Sequence, residues 1–257
     1  MPEFCKADRD GPVLVVTINR PEVLNALHPP ANNELAGIFD EFERDPDLWI
    51  AIITGVGDRA FCAGNDLKYQ ASGKAITLPE TGFAGLTSRF ENVKPVIAAV
   101  NGVAMGGGFE IALACDLIIA SERAVFAVPE PRVGLAALAG GLHRLPRQLP
   151  LKVAMGIILT GRRVAAQEAL QLGIVNEVVS HDELMKAARR WADQILECAP
   201  LSVRASKECA LKGLEHASIR EAMTAHYDHI VAMFKSEDFT EGPRAFAEKR
   251  PPQWKGR

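Results

Sequence analysis

Hydrophobic positions along this chain fall into two regimes. Over the first half they come in short runs: Val13-Leu14-Val15-Val16-Thr17-Ile18, Trp49-Ile50-Ala51-Ile52-Ile53-Thr54, Pro95 to Val100 and Leu117-Ile118-Ile119-Ala120. Short apolar runs rich in β-branched residues predict buried strands. Between them, the spacing of Leu35, Ile38, Phe39 and Phe42 predicts a helix over 32–43 that ends before Asp45-Pro46. Further helices are predicted over 83–91 and from Phe109 to Ala114, and 71–82, with Gly73, Pro79 and Gly82, reads as a surface loop. From residue 138 onward the spacing is helical: 138–148, 151–158, 165–171, 181–198, 201–213, 216–234 and 237–248, interrupted by one strand, Ile174 to Val179. Strands alternating with helices, then helices alone, predict an α/β core followed by a helical C-terminal region. No internal repeat, low-complexity tract or linker breaks this order.

Composition narrows the function more than the fold. A chain of 257 residues with 48% hydrophobic content can bury a substantial core. The most apolar stretch, Val96 to Ala120, is interrupted by Asn101, Gly106-Gly107-Gly108, Glu110 and Asp116, which fits strand, turn, helix and strand and not a membrane span. Net charge is −3 with the signs mixed, so no nucleic-acid surface is expected. Met1 to Lys6 carries no secretory pattern. The five cysteines, at 5, 62, 115, 198 and 209, make no C-x-x-C pair and no zinc spacing. They are expected to be reduced thiols in a cytoplasmic protein, acting as small buried hydrophobes, with no metal site.

Candidate chemistry gathers in two glycine-rich turns and two glutamates. Gly106-Gly107-Gly108 joins an apolar strand to an apolar helix. Such a turn leaves free N–H groups at a helix start, where the dipole favours negative charge. A tight turn that merely needs small residues reads equally well from this motif alone. Ala60 to Leu67 has the same shape: Ala63-Gly64 turns the chain, Asn65 offers a backbone N–H, and Asp66 caps the next helix. Glu110 sits in Phe109-Glu110-Ile111-Ala112-Leu113-Ala114, where burial would raise its pKa and suit it to proton transfer. Glu130, between Pro129 and Pro131, is by itself an ordinary loop carboxylate and gains meaning only beside Glu110. Two N–H groups on one developing oxyanion, with two carboxylates to handle water and a proton, are the equipment for hydrating an α,β-unsaturated thioester. His28 and His181 read as loop or capping residues and His143 as a helix residue, and none suggests a triad. The basic tail, Lys249 to Arg257, is most simply a solvated end.

At these residues the sequence resembles the crotonase (enoyl-CoA hydratase/isomerase) superfamily over nearly the whole chain. Arg20-Pro21 with Asn25-Ala26-Leu27, Ala60 to Leu67, Asn101 to Glu110, Val128 to Gly134, Thr160-Gly161, Ala165 to Ala169 and Gly173 to Val175 carry the likeness. The tail from Ser236 to Arg257 and Gly82 to Thr87 are similar to the family's carnitinyl-CoA dehydratase group, whereas Leu135 to Gly141 departs from the usual proline-containing form. The resemblance implies a ββα spiral core over 1–199 and a helical trimerisation region over 200–257. It implies an oxyanion hole from the N–H groups of Asn65 and Gly107, and Glu110 and Glu130 as the catalytic carboxylates. Asn25, Leu27, Ala63, Asp66, Leu67, Lys68 and Gly106 would follow the CoA thioester, and Lys249 would reach its phosphates. The partner is then an acyl-CoA substrate with no separate cofactor, in a homotrimer or dimer of trimers. The retained glutamate pair favours enoyl-CoA hydration. An isomerase that shuttles one proton and a CoA-thioester-binding protein without catalysis are the rivals. A quaternary ammonium in the acyl group would want aromatic faces, for which Tyr69, Phe83 and Phe90 are available.

Overall fold

The computed structural model describes residues 3–257, so Met1 and Pro2 of the amino-terminal stretch lie outside it. The chain divides into two compact units, one of residues 1–90 and 96–189 and the other of 91–95 and 190–257.

The larger unit winds alternately through two sheets. Strands β1 (Cys5–Asp10) and β2 (Val13–Ile18) pair antiparallel, and helix α1 (Pro29–Arg44) follows. Three similar passes come next. The first is β3 (Ile50–Gly55) then β4 (Ala60–Cys62), with α2 (Leu67–Ala71) after them. The second is β5 (Val96–Val100) then β6 (Val103–Met105), leading into α3 (Gly107–Ala114). The third is β7 (Leu117–Ser121) then β8 (Val125–Ala127), leading into a 3-10 turn at Glu130–Val133. Helices α4 (Gly141–Gln148) and α5 (Leu151–Thr160), strand β9 (Val164–Ala165), helix α6 (Ala166–Gln171) and strand β10 (Glu177–Val179) complete the spiral. Each pass gives its first strand to a six-stranded sheet, ordered β1-β2-β3-β5-β7-β10, and its second to a four-stranded sheet, ordered β4-β6-β8-β9. Every pairing is parallel except β1 with β2 and β8 with β9.

The strands the hydrophobic runs predict are the buried ones, β2, β3, β5 and β7. Parallel strands covered on both faces read as continuous apolar runs. Phe39, Phe42, Phe61, Phe109 and Phe126 fill the core, with the Phe109 and Phe126 rings 5.2 Å apart. The expected helix over 83–91 is instead a single 3-10 turn, Phe83–Gly85. Gly82, Ala84 and Gly85 take positive φ (80°, 55° and 66°), which a helix cannot continue through, and side chains hold the turn: Thr87 Oγ1 accepts from the Phe83 N–H and Asn32 Oδ1 from the Ala84 N–H. His28 caps α1, its ring Nδ1 accepting from the Ala31 N–H. None of the five cysteines is in a disulfide. Cys5 and Cys62 are buried, with thiols pushed up to about 12 by that burial. Cys115 and Cys209 are half-buried, and Cys198 is exposed, contrary to the expected burial.

A long helix, α7 (Leu184–Leu196), contains the boundary between the units. The smaller unit continues with α8 (Pro200–Gly213), α9 (Ile219–Thr224), α10 (Asp228–Phe234) and α11 (Glu237–Glu248). The single helix expected over 216–234 is therefore two. A capping box between Ser218 and Glu221 starts α9, and the Tyr227 hydroxyl donates to the Ala222 carbonyl across the break. Glu208 is buried on α8 and accepts from the His229 N–H (2.9 Å) and Lys212 Nζ (3.2 Å), tying α8 to α10. Arg250 grips Glu241 bidentately at 2.6 and 3.0 Å, and Asp238 accepts from the Lys255 and Gly256 N–H groups, both at 2.8 Å, so the tail is fastened to α11. Among the described residues no helix is long and apolar enough to cross a membrane.

Candidate active site

β4, β6 and β8 are parallel neighbours, with Cys62 opposite Ala104 and Met105 opposite Ala127. Their C-terminal ends therefore share one edge of the small sheet. Each end leads into a segment with candidate chemistry: Ala63-Gly64-Asn65 after β4, Gly106-Gly107 after β6, and Val128-Pro129-Glu130 after β8.

The two turns that carry the candidate backbone donors meet there. Asn65 forms a parallel bridge with Leu27, in which the Leu27 N–H donates to the Gly64 carbonyl (2.8 Å) and the Asp66 N–H to the Leu27 carbonyl (2.9 Å). In a parallel bridge the neighbours of Asn65 make those bonds, so its own N–H faces away from Leu27. Gly107 opens α3, and its N–H has no acceptor within the helix. Gly64 lets the two turns meet. It has φ +91°, and a β-carbon on it would stand 2.7 Å from the Met105 carbonyl and 3.1 Å from the Gly107 nitrogen.

Glu110 lies one turn into α3 and is 2% exposed. Its Oε1 accepts from the Gly141 N–H at the start of α4 (2.8 Å). Burial pushes its carboxyl up to about 7. The Gly141 N–H opposes that rise, the negative charge of Glu130 adds to it, and the Ala139 N–H and the Arg144 cation oppose it. Glu130 begins the 3-10 turn after β8, and burial raises its pKa as well. Its Oε1 lies 2.6 Å from where a β-carbon on Gly106 would stand. Among the described residues its buried Oε2 has no hydrogen-bond partner. A buried carboxylate oxygen left unpaired calls for a ligand or water proton. Glu110 and Glu130 thus both lie close to the Gly106-Gly107 turn, and the charge of Glu130 reaches Glu110.

A family model described as enoyl-CoA hydratase/isomerase matches residues 8–257. The chain belongs to the enoyl-CoA hydratase/isomerase family. It is 48% identical, over 96% of both chains, to a carnitinyl-CoA dehydratase of Proteus mirabilis. Among solved structures, it is similar to the enoyl-CoA hydratase of Mycobacterium tuberculosis, with a TM-score of 0.93 and 38% identity over the full length of both. It is also similar to the carnitinyl-CoA hydratase of Mycobacterium avium, with a TM-score of 0.79 and 44% identity over 99% of both. The chain is accordingly an enzyme with the crotonase fold.

Against that family pattern, the expected CoA path divides into free and committed side chains. Ala63 is half-buried, and Leu67 and Lys68 are exposed on α2, open to a ligand. Asn25 and Leu27 are not: both are buried. Asn25 Oδ1 accepts from the Arg20 N–H, and Nδ2 donates to the Val56 and Ala60 carbonyls, so this side chain holds the loop. Asp66 is also committed. It caps α2 by accepting from the Tyr69 N–H and pairs with Arg20 at 3.1 Å. Burial alone would raise its carboxyl, but the Tyr69 N–H and the Arg20 guanidinium outweigh that and hold it below the usual range. Lys249 is exposed in the smaller unit and ends α11 with φ 56°.

Two features escape sequence reasoning: the Gly141 and Ala139 N–H groups on Glu110, and Arg144. Phe83, an aromatic candidate in the sequence, is placed against Gly107. Phe83 Cε1 lies 2.5 Å from where a β-carbon on Gly107 would stand. The Gly140-Gly141 doublet before α4 is the one local signal, and it marks a turn without naming Glu110 as its partner.

Proposed function

We propose that this enzyme catalyses the reversible syn addition of water to a trans-2-enoyl-CoA, and that its acyl substrate is the carnitinyl-CoA/crotonobetainyl-CoA pair. What supports the chemistry is the pair of glutamates, Glu110 on the helix that Gly107 opens and Glu130 against Gly106, beside the turn that carries Asn65. The thioester carbonyl binds the Asn65 and Gly107 N–H groups, which stabilise the enolate-like charge that develops during addition. Glu110 takes a proton from water as the oxygen bonds to C3, and Glu130 delivers a proton to C2. In dehydration the same groups exchange roles. The charge of Glu130 raises the pKa of Glu110, so the protonation of the two carboxyls is linked. Water and the thioester balance the reaction, so no redox group enters it.

The acyl assignment differs from the simple enoyl-CoA hydratase that the glutamate pair alone favours. It is supported by 48% identity to a protein named carnitinyl-CoA dehydratase and by the likeness to a carnitinyl-CoA hydratase. Phe83 adds a physical reason, because it is the aromatic residue seated against Gly107. Tyr69 instead packs on His28 and Lys74, and Phe90 is exposed. A ring whose face reaches the acyl group would favour a quaternary ammonium. The smaller unit leaves Leu214 and Phe246 more than 80% exposed, which supports self-association as a homotrimer or dimer of trimers.

The test is loss of the conjugated enoyl-thioester absorbance with crotonobetainyl-CoA and with crotonyl-CoA. Glu110→Gln and Glu130→Gln should each lower kcat by at least ~10²-fold. Faster turnover of crotonyl-CoA than of crotonobetainyl-CoA would overturn the acyl assignment. Double-bond migration without water uptake would overturn hydration.

A further inference from the structure

One cation beside this site has no part in the chemistry above. Arg144 lies on α4, three residues beyond Gly141, whose N–H holds Glu110. Its guanidinium folds back under the Gly140–Gly141 turn, so that a β-carbon on Gly140 would overlap Nη1. Residue 140 has φ +110°, a backbone that side chains rarely adopt, and glycine there leaves the space the guanidinium occupies. Nη2 donates to the Thr87 carbonyl at 2.9 Å. Thr87 in turn receives the Phe83 N–H on its hydroxyl, and Phe83 packs on Gly107. Arg144 therefore braces both sides of the site: the turn that holds Glu110 and the turn that backs the oxyanion donor.

The placement is costly, since burial lowers the pKa of the guanidinium, an effect that Cys115 and Glu110 oppose. A half-buried cation with one backbone acceptor needs an electrostatic partner to offset its desolvation. The charged groups facing Glu110 are Arg144 from α4 and Glu130 from the turn after β8; Gly141 and Ala139 add N–H groups.

We propose that Arg144 is a positioning residue for Glu110: it props the turn whose N–H holds the carboxylate and sets a positive charge beside it. That charge favours the ionised form of Glu110, the form able to take a proton from water, in a pocket that otherwise favours the neutral acid. The role rests on the reading of Glu110 as the base in hydration.

The experiment uses Arg144→Gln and Arg144→Lys in two readouts. The first is kcat/KM against pH with crotonobetainyl-CoA. Without the cation Glu110 ionises less readily, so the acid limb moves to higher pH by about one unit in R144Q, with kcat lowered and KM nearly unchanged. The second needs no turnover: infrared difference spectra against the matching Glu110→Gln protein follow the Glu110 carboxyl directly. Its midpoint rises in R144Q, and rises less in R144K, where a shorter arm keeps the charge. R144K also serves should R144Q not fold. An unmoved midpoint in whichever variant folds overturns the proposal. A midpoint that moves while the wild type hydrates neither thioester overturns the proposed function and leaves the placement of Glu110 by Arg144 standing.

Discussion

Burying Glu110 works against the folded chain whenever its carboxylate is charged. The folded state raises its pKa from 4.5 to about 7. Below pH 4.5 both folded and unfolded chains hold the proton, and nothing is lost. As pH rises toward 7 the unfolded chain releases its proton first, so stability falls, and above about 7 the penalty is complete. Glu110→Gln keeps an acceptor for the Gly141 N–H and removes the charge. It should be nearly inactive, yet more stable than wild type at pH 8 by on the order of 3 kcal/mol, with the gap closing in acid. Urea unfolding at several pH values measures this, and a gap that does not vary with pH would refute it. Asp66 is the opposite case, a carboxylate stabilised by its neighbours. Asp66→Asn retains a cap for α2 but leaves Arg20 buried without its counter-charge, and should cost about 3 kcal/mol in the same assay.

Among the elements, the turn after β4 is the most exacting. Gly64→Ala forces a side chain onto φ +91° and against the Met105 carbonyl, 2.7 Å away. The turn would have to retreat from Gly107, separating the two donors. We expect kcat to fall by ~10²–10³, as when one oxyanion donor is lost, with a stability loss of ~1–3 kcal/mol. Single-turnover kinetics beside a thermal melt separates the two effects. This level of structure was only partly legible in the sequence. Strands β2, β3, β5 and β7 stood out because burial on both faces makes a continuous apolar run. β1 did not, because Cys5–Asp10 is an edge strand with one buried position in six. β4, β6 and β8 span three residues each, too few for any period. Glu110 could be singled out as a lone charge in an apolar run, and Asp66 as a cap. The partners of Glu110 could not: Gly141 and Arg144 are more than thirty residues away, and only the packing of α4 on α3 brings them near.

For the whole molecule, the apolar surface of the smaller unit bears on assembly. Leu214 is 82% and Phe246 88% exposed in the single chain. Leu214→Glu and Phe246→Glu should change monomer stability by no more than ~0.5 kcal/mol, as for exposed positions generally. In an oligomer that buries these side chains, the same changes should lower the mass seen by light scattering. An unchanged mass in both variants would remove these positions from any subunit interface. The larger unit carries a different kind of constraint. Both donor turns and the Glu130 turn begin where β4, β6 and β8 end, so the strand register acts as a gauge between them. One residue added within any of the three would advance its end by about 3.3 Å. Catalytic geometry tolerates only about 0.5 Å. Insertions and deletions are therefore barred from these strands, and from the Ala139 to Arg144 stretch that holds Glu110, but free in the exposed loop beyond α2. New acyl preferences should arise there by changes in loop length, with the chemistry left in place.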